Sequence, residues 1–159
     1  MMRTANTAAI GAMRLWNLTY NDPRRWAEVH AISGKPLGFW ASVKAGGTGS
    51  PRAELVGGSG EVAELVGAES IRTACNFERT TEGGILYFRS RLEVFGAPLR
   101  HGDVSGITRV SEGPQDLLTL WCGWSDGEGA MQSGSVEMRC AHATAERMEA
   151  YIRRWLMEG

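Results

Sequence analysis

The stretch whose reading decides the fold is Ser70–His142, SIRTACNFERTTEGGILYFRSRLEVFGAPLRHGDVSGITRVSEGPQDLLTLWCGWSDGEGAMQSGSVEMRCAH. It is a chain of short β-patterned segments, each closed by a turn signal. In Ser70–Arg79, Ile71, Thr73, Cys75 and Phe77 alternate onto one face. Glu82-Gly83-Gly84 then reads as a hairpin turn. Ile85–Phe95 reads as one strand, with Leu86, Phe88, Leu92 and Val94 on one side and Tyr87, Arg89, Arg91 and Glu93 on the other. Gly96-Ala97-Pro98 should end it. Val104–Ser111, Asp116–Trp124 and Ser135–His142 complete the run, divided by Glu112-Gly113-Pro114 and a loop over Ser125–Gly134.

Asp116–Trp124 is apolar on both faces. Leu118, Leu120, Cys122 and Trp124 share one, and Leu117 and Trp121 the other. A strand of that kind needs cover on both sides. The segment after the strands can supply one cover. In Thr144–Glu158, Met148, Tyr151, Ile152 and Trp155 repeat at i, i+3, i+4 and i+7, the single apolar stripe of an amphipathic helix. Thr144 is its expected N-cap, and Glu149 and Arg153 form an i,i+4 pair on the wet face. The expected architecture is a mainly β protein of α+β type: a curled antiparallel sheet or eight-stranded barrel, with one C-terminal helix packed outside.

Upstream, the reading is less regular. Residues 1–20 fit a helix through Ala9, Met13, Trp16 and Tyr20, or a strand face through Arg14, Trp16, Leu18 and Tyr20. Asp22 before Pro23 marks a helix start, giving a short helix over Pro23–Ala31. Phe39–Lys44 is expected as the first strand and Glu61–Val66 as a short one. The glycine-rich Ala45–Gly60 reads as a mobile loop or lid, or as a strand broken by turns. One domain is expected over 1–159: an N-terminal extension (1–36), the barrel (37–142) and the helix (144–158).

With 43% apolar and 22% charged residues and a net charge of -1, the chain has the composition of a soluble globular protein. Nothing in the charge attracts nucleic acid or an anionic membrane in bulk. No apolar run approaches a membrane span. Only Lys35 and Lys44 are lysines, and the arginines are scattered along the chain. Cys75, Cys122 and Cys140 are too few to pair completely and follow no secretory leader, so reduced, mostly buried thiols and a cytoplasmic location are expected.

About eight strand-like segments followed by one helix resemble the lipocalin-like (calycin) barrels. Gly38-Phe39-Trp40 resembles that family's Gly-X-Trp motif, and Arg139 stands where the family's last-strand arginine packs across the tryptophan. The order of elements is also similar to the helix-grip fold of START-like proteins, in which a curved sheet wraps a C-terminal helix. The cone of nuclear transport factor 2-like and SnoaL-like proteins is a third match. Each of these folds implies a pocket enclosed by a sheet.

No metal-ligand spacing, phosphate loop or nucleophile elbow is present. Cys140 and His142 share one strand face, but two groups do not make a metal site. His101 and Asp103, in a turn after Pro98, are the candidate catalytic pair, with histidine as acid or base. Leu86, Phe88, Leu92, Leu118, Leu120, Cys122, Trp124 and Met138 are the candidate ligand-binding residues of the interior. The expected function is a cofactor-independent cyclase or isomerase acting on a mid-sized apolar metabolite, since an enclosing pocket can fold a flexible substrate without many catalytic groups. The alternative is a non-catalytic carrier. The expected partner is an apolar small molecule, with no cofactor, metal, nucleic acid or membrane, and a homodimer is left open.

Overall fold

The computed structural model describes residues 14–44, 47, 49–67, 72–125 and 131–158, without the side chains of 124, 125, 131 and 132. The order of elements is β1 (Trp16–Asn17), α1 (Pro23–Ser33), α2 (Phe39–Lys44), β2 (Ala53–Gly58), α3 (Gly60–Gly67), β3 (Ala74–Arg79), β4 (Gly83–Arg89), β5 (Val94–Arg100), a 3₁₀ turn (His101–Asp103), β6 (Val104–Glu112), β7 (Gln115–Ser125), β8 (Met131–Ala141) and α4 (His142–Met157). The strands form one antiparallel sheet in the order β1-β5-β4-β3-β2-β8-β7-β6. The sheet is not closed into a barrel: β1 and β6 are its edges.

The sheet is nevertheless strongly curled, and the chain itself requires this. Strands β5 and β6 lie six strand spacings apart in the sheet order, about 29 Å on a flat sheet. Only the three residues His101–Asp103 join them, a reach of about 10 Å even if extended. The two meanders β3-β4-β5 and β6-β7-β8 must therefore bend toward each other. Phe77, Leu86 and Phe88 from one meander and Leu118, Leu120 and Met138 from the other meet in a single core cluster.

Helix α4 closes that core. Its Met148, Ile152 and Trp155 are buried in the same cluster, each contributing roughly 1.5–3 kcal/mol by burial. The helix is thus held by the inner face of the sheet, not outside it as the sequence reading placed it. Among the described residues no helix covers the outer face of Asp116–Trp124: Trp121 is about half exposed, and its indole donates to Thr108 Oγ1 at 3.1 Å. The helix begins at His142 with Ala141 at the cap position, two residues before the expected Thr144.

The other face of β4 is covered by α1. Asp22 caps this helix by accepting from the Arg24 N–H, as its Asp-Pro start predicts. Val29 packs there with Leu18, Ile85 and Tyr87 in a second buried cluster.

Several local expectations are overturned, and one that was left open is decided. Phe39–Lys44 is a helix, α2, with Phe39 72% and Trp40 75% exposed. A helical turn satisfies its backbone groups internally, as the Ser42 N–H does on Gly38 O at 2.9 Å. Arg139 pairs with Glu112 at 3.3 Å, so neither of the two details resembling the lipocalin motif has its expected role. Glu61–Val66 is the helix α3, in which Val62, Leu65 and Val66 pack on the core at i, i+3 and i+4.

The glycine-rich segment, read as a loop or as a strand broken by turns, contains the strand β2, which pairs with both β3 and β8. Its glycines mark close approach rather than looseness. A Cβ on Gly58 would run into Val62 of α3 and the Ser135 carbonyl. Ile85–Phe95, finally, is two strands. A turn at Ser90–Glu93 interrupts it, with the Ser90 N–H on Glu93 O at 2.9 Å and the Ser90 hydroxyl accepting from the Glu93 N–H. Alternation through the turn is coincidental, and Leu92, expected inside, is 74% exposed. Gly96-Ala97-Pro98 lies within β5 instead of ending a strand.

Candidate functional site at the C-terminal end of the last helix

Strand β3 ends, the β3–β4 hairpin turns, and the 3₁₀ turn follows β5 at the same end of the sheet. The register sets this: Arg79 pairs with Gly84, and Gly83 pairs with Arg100, the residue before His101. The last turn of α4 arrives here. The Trp155 indole N–H donates to the Gly83 carbonyl at 2.9 Å. A side chain at Gly83 would collide with the Leu99 carbonyl, so glycine is what lets β5 approach β4 this closely here.

Trp155 is the wall around which the site is built. Phe77 meets it edge-on at 4.6 Å, and the His101 ring stacks on it at 4.5 Å and 24°. Beside them Arg79 continues the inward face of β3 after Cys75 and Phe77. Its side chain is 7% exposed, with Nη1 3.0 Å from Glu158 Oε1 and the guanidinium 5.4 Å from the Tyr151 ring centroid. Its Nε is buried without an acceptor. Arg79, Thr80, His101, Trp155 and Glu158, with Leu37, Ala41 and Lys44 from the α2 side, line a cleft of about 420 Å³.

The cleft is positive. Lys44, Arg79 and Arg154 line it against the single carboxylate of Glu158, which Arg79 already engages. Burial pushes the His101 pKa below its ordinary value of 6.5, with Arg79 acting the same way and Glu158 opposing both. The imidazole is therefore neutral at pH 7, and no hydrogen bond to a described residue occupies its nitrogens. A neutral base, an arginine with an unsatisfied N–H and an aromatic wall can bind an oxyanion and move a proton beside it.

The sequence reading placed one residue here, His101. Its proposed partner Asp103 is turned away to its own backbone, accepting from the Arg100 N–H at 2.8 Å. No hydrogen bond or ion pair joins the two. Leu86, Phe88, Leu118, Leu120, Cys122 and Met138 are brought together as expected, but as buried members of the core, and none lines this cleft. Leu92 is on the surface turn. Trp124 lies in β7, with its side chain outside the described residues. Arg79, Trp155 and Glu158 were missed as site residues. The signal for Arg79 was present: it extends the alternation of Cys75 and Phe77, and an arginine in an inward register needs a partner.

At the opposite end of α4 a different polar cluster ties the helix to β6 and β7. Asp116 is 1% exposed, and its Oδ2 accepts from Arg109 Nη1 at 3.0 Å and from His142 Nδ1 at 2.9 Å. Arg109 Nε reaches Glu149 at 2.9 Å, and Arg153 bridges Glu149 and the Ile107 carbonyl. Burial pushes the Asp116 pKa up. The Arg109 hydrogen bond and the His142 interactions outweigh it and bring the balance below the ordinary aspartate value. The three cysteines are buried thiols, and burial raises the pKa of Cys75 and Cys140. Among the described residues no group of three His, Cys, Asp or Glu could hold a metal ion, and no helix is long and apolar enough to cross a membrane.

Comparison of the chain with protein-family models, with curated proteins and with solved structures found no match.

Proposed function

We propose that the protein binds a small anionic metabolite in the cleft between the end of α4 and the β3–β4 hairpin. Arg79 carries the reading. A guanidinium this deeply buried, with Nε unsatisfied and a cleft beside it, is a costly arrangement that an anion would complete. A sheet curled around a C-terminal helix resembles the helix-grip arrangement more than a closed barrel, and this too supports small-molecule binding. An apolar metabolite held inside the sheet has less support, because the residues expected to face it are packed in the core. The cytoplasmic location inferred from the cysteines belongs to this reading.

The test is a titration of the ¹⁵N-labelled protein with benzoate and with inorganic phosphate, following the Trp155 indole resonance. Saturable movement that Arg79→Gln abolishes is the expected result. An unmoved indole, or equal movement in the variant, would sink the proposal.

A second reading adds catalysis, and the free neutral imidazole of His101 favours it. With a 3-oxo acid bound through its carboxylate, His101 takes a proton from the carbon between the two carbonyl groups. The C–H electron pair passes to the ketone oxygen as an enolate, and return of the proton to either position completes an isomerase-type exchange with no other reactant. Incorporation of solvent deuterium into acetoacetate, read by proton NMR, should exceed the buffer rate and be lost in His101→Gln. A wild-type rate equal to buffer would leave binding alone.

A further inference from the structure

Strands β3 and β4 have a second charged cleft at their other ends, about 20 Å away along the strands. Ala74 begins β3 and pairs with both Glu54 and Arg89, the last residue of β4. Arg52 and Arg72 stand just before β2 and β3. These three arginines, Glu54, Thr73 and the buried Cys140 thiol are among the lining of a cleft of about 280 Å³.

The charges there do not balance. Glu54 is the one carboxylate in the lining, and it meets Arg72 at 3.6 Å with both side chains open to water, a contact of little strength. Arg52 has no partner among the described residues. Arg89 lies over the Tyr87 ring at 4.7 Å, which orients the guanidinium without supplying an acceptor. Its Nε is buried and unsatisfied. Glu78 is close enough to feel its charge but forms no ion pair with it. Arg139, paired beside Glu54 on the neighbouring strand β8, is engaged by Glu112. Three guanidinium groups against one carboxylate leave two positive charges around a space that nothing in the described chain fills.

We propose that this cleft is a second small-molecule site, taking a ligand that bears a carboxylate or phosphate oxyanion, with Arg89 as the oriented anchor and Arg52 and Arg72 as flanking charges. Planar guanidinium forks suit both anions. The proposal does not rest on the anion site at the end of α4.

Methyl-labelled alanine separates the two sites in one spectrum, since Ala53 and Ala74 line this cleft and Ala41 lines the other. The full chain is titrated at low ionic strength with inorganic phosphate and, separately, with succinate. The Ala53 and Ala74 methyls should move saturably, and the tighter of the two anions identifies the ligand's chemistry. Arg89→Gln should weaken this by roughly ten- to hundredfold, the worth of a charged hydrogen bond, while Arg79→Gln leaves it intact. Arg89→Lys should recover only part. Should Arg89→Gln not fold, the double variant Arg52→Gln, Arg72→Gln must show the weakening. Ala53 and Ala74 methyls unmoved by either anion, or equal affinity in the folded variants, would overturn the proposal, whatever Ala41 reports.

Discussion

Helix α4 meets the sheet through polar side chains at both ends, and the two ends are built on opposite plans. Toward the N-terminal side, Asp116, Arg109, Glu149, Arg153 and His142 engage one another, and of their buried polar atoms only Asp116 Oδ1 has no partner among the described residues. At the C-terminal end, Arg79 has one carboxylate partner and an unsatisfied Nε, the His101 ring has a stacking partner but no hydrogen bond to a described residue, and a cleft opens beside both. A cluster that closes on itself fastens a helix. A cluster with unmet hydrogen-bonding capacity and adjacent space has chemistry left for a ligand. Charged side chains thus mean attachment in one place and recognition in the other.

The largest effects should come from the core that both ends share. Trp155→Ala should cost about 3–5 kcal/mol in urea unfolding, as for other large core aromatics, and should also abolish anion binding by removing the cleft wall. Phe88→Ala should cost a similar amount, about 3–5 kcal/mol, with anion binding unchanged. A much smaller loss for Phe88 would mean that it faces empty space, and would restore an interior pocket.

The next contrast separates fastening from recognition. Asp116→Asn should lower the urea midpoint and leave anion affinity unaltered. Arg79→Gln should weaken anion binding by roughly ten- to hundredfold with the smaller stability loss of the two. The reverse ordering would mean that the two ends have been assigned the wrong way round.

Acid titration sharpens the same contrast. The folded pKa of Asp116 lies below its ordinary value of 3.8, so the unfolded chain binds the proton more readily. Its stabilisation is present above about pH 3.8 and is lost as pH falls through the lower folded value. Stability of Asp116→Asn should therefore decline less steeply with acid than that of the wild type, measured as urea midpoints across that range.

The smallest effect concerns His101. Its ring resonances should titrate with a midpoint below 6.5. Glu158→Gln should lower the midpoint further, and Arg79→Gln should raise it, because those charges act in opposite directions. Folding linked to this group is fully favourable above about 6.5 and weakens as pH falls below it. A midpoint unmoved by either variant would separate His101 from the cleft's charges.

Much of the fold was legible because its signals are local. The stripe of Met148, Ile152 and Trp155 specified both a helix and its buried face. Alternation in Ala74–Arg79 and Asp116–Trp124 specified strands and their inward sides, and Asp22-Pro23 specified a helix start. Where local signals were ambiguous, neighbours decided. Ser90 ended a strand whose alternation ran on through a turn. Gly57 and Gly58 sat in a central strand because α3 and β8 approach there. Phe39-Trp40 opens a helical turn that closes its own backbone hydrogen bond from Ser42 to Gly38. Of the candidate site, only His101 was visible, since a histidine in a turn can be read without knowing what lies opposite.

By itself, then, the sequence determined that Ala74–Arg79 and Asp116–Trp124 lie in strands, which of their faces turn inward, and that one helix must dock through a single stripe. These follow from side-chain periodicity, a property of each segment alone. The tertiary structure decided that the sheet curls around that helix instead of closing beside it. It also decided that Arg79, His101, Trp155 and Glu158 share one cleft. Those residues are as far as 79 positions apart, and no periodicity carries information over that distance. They meet because a three-residue connection between distant strands forces the sheet to bend, and because the Trp155 indole donates to the Gly83 carbonyl and ties the helix end to the hairpin.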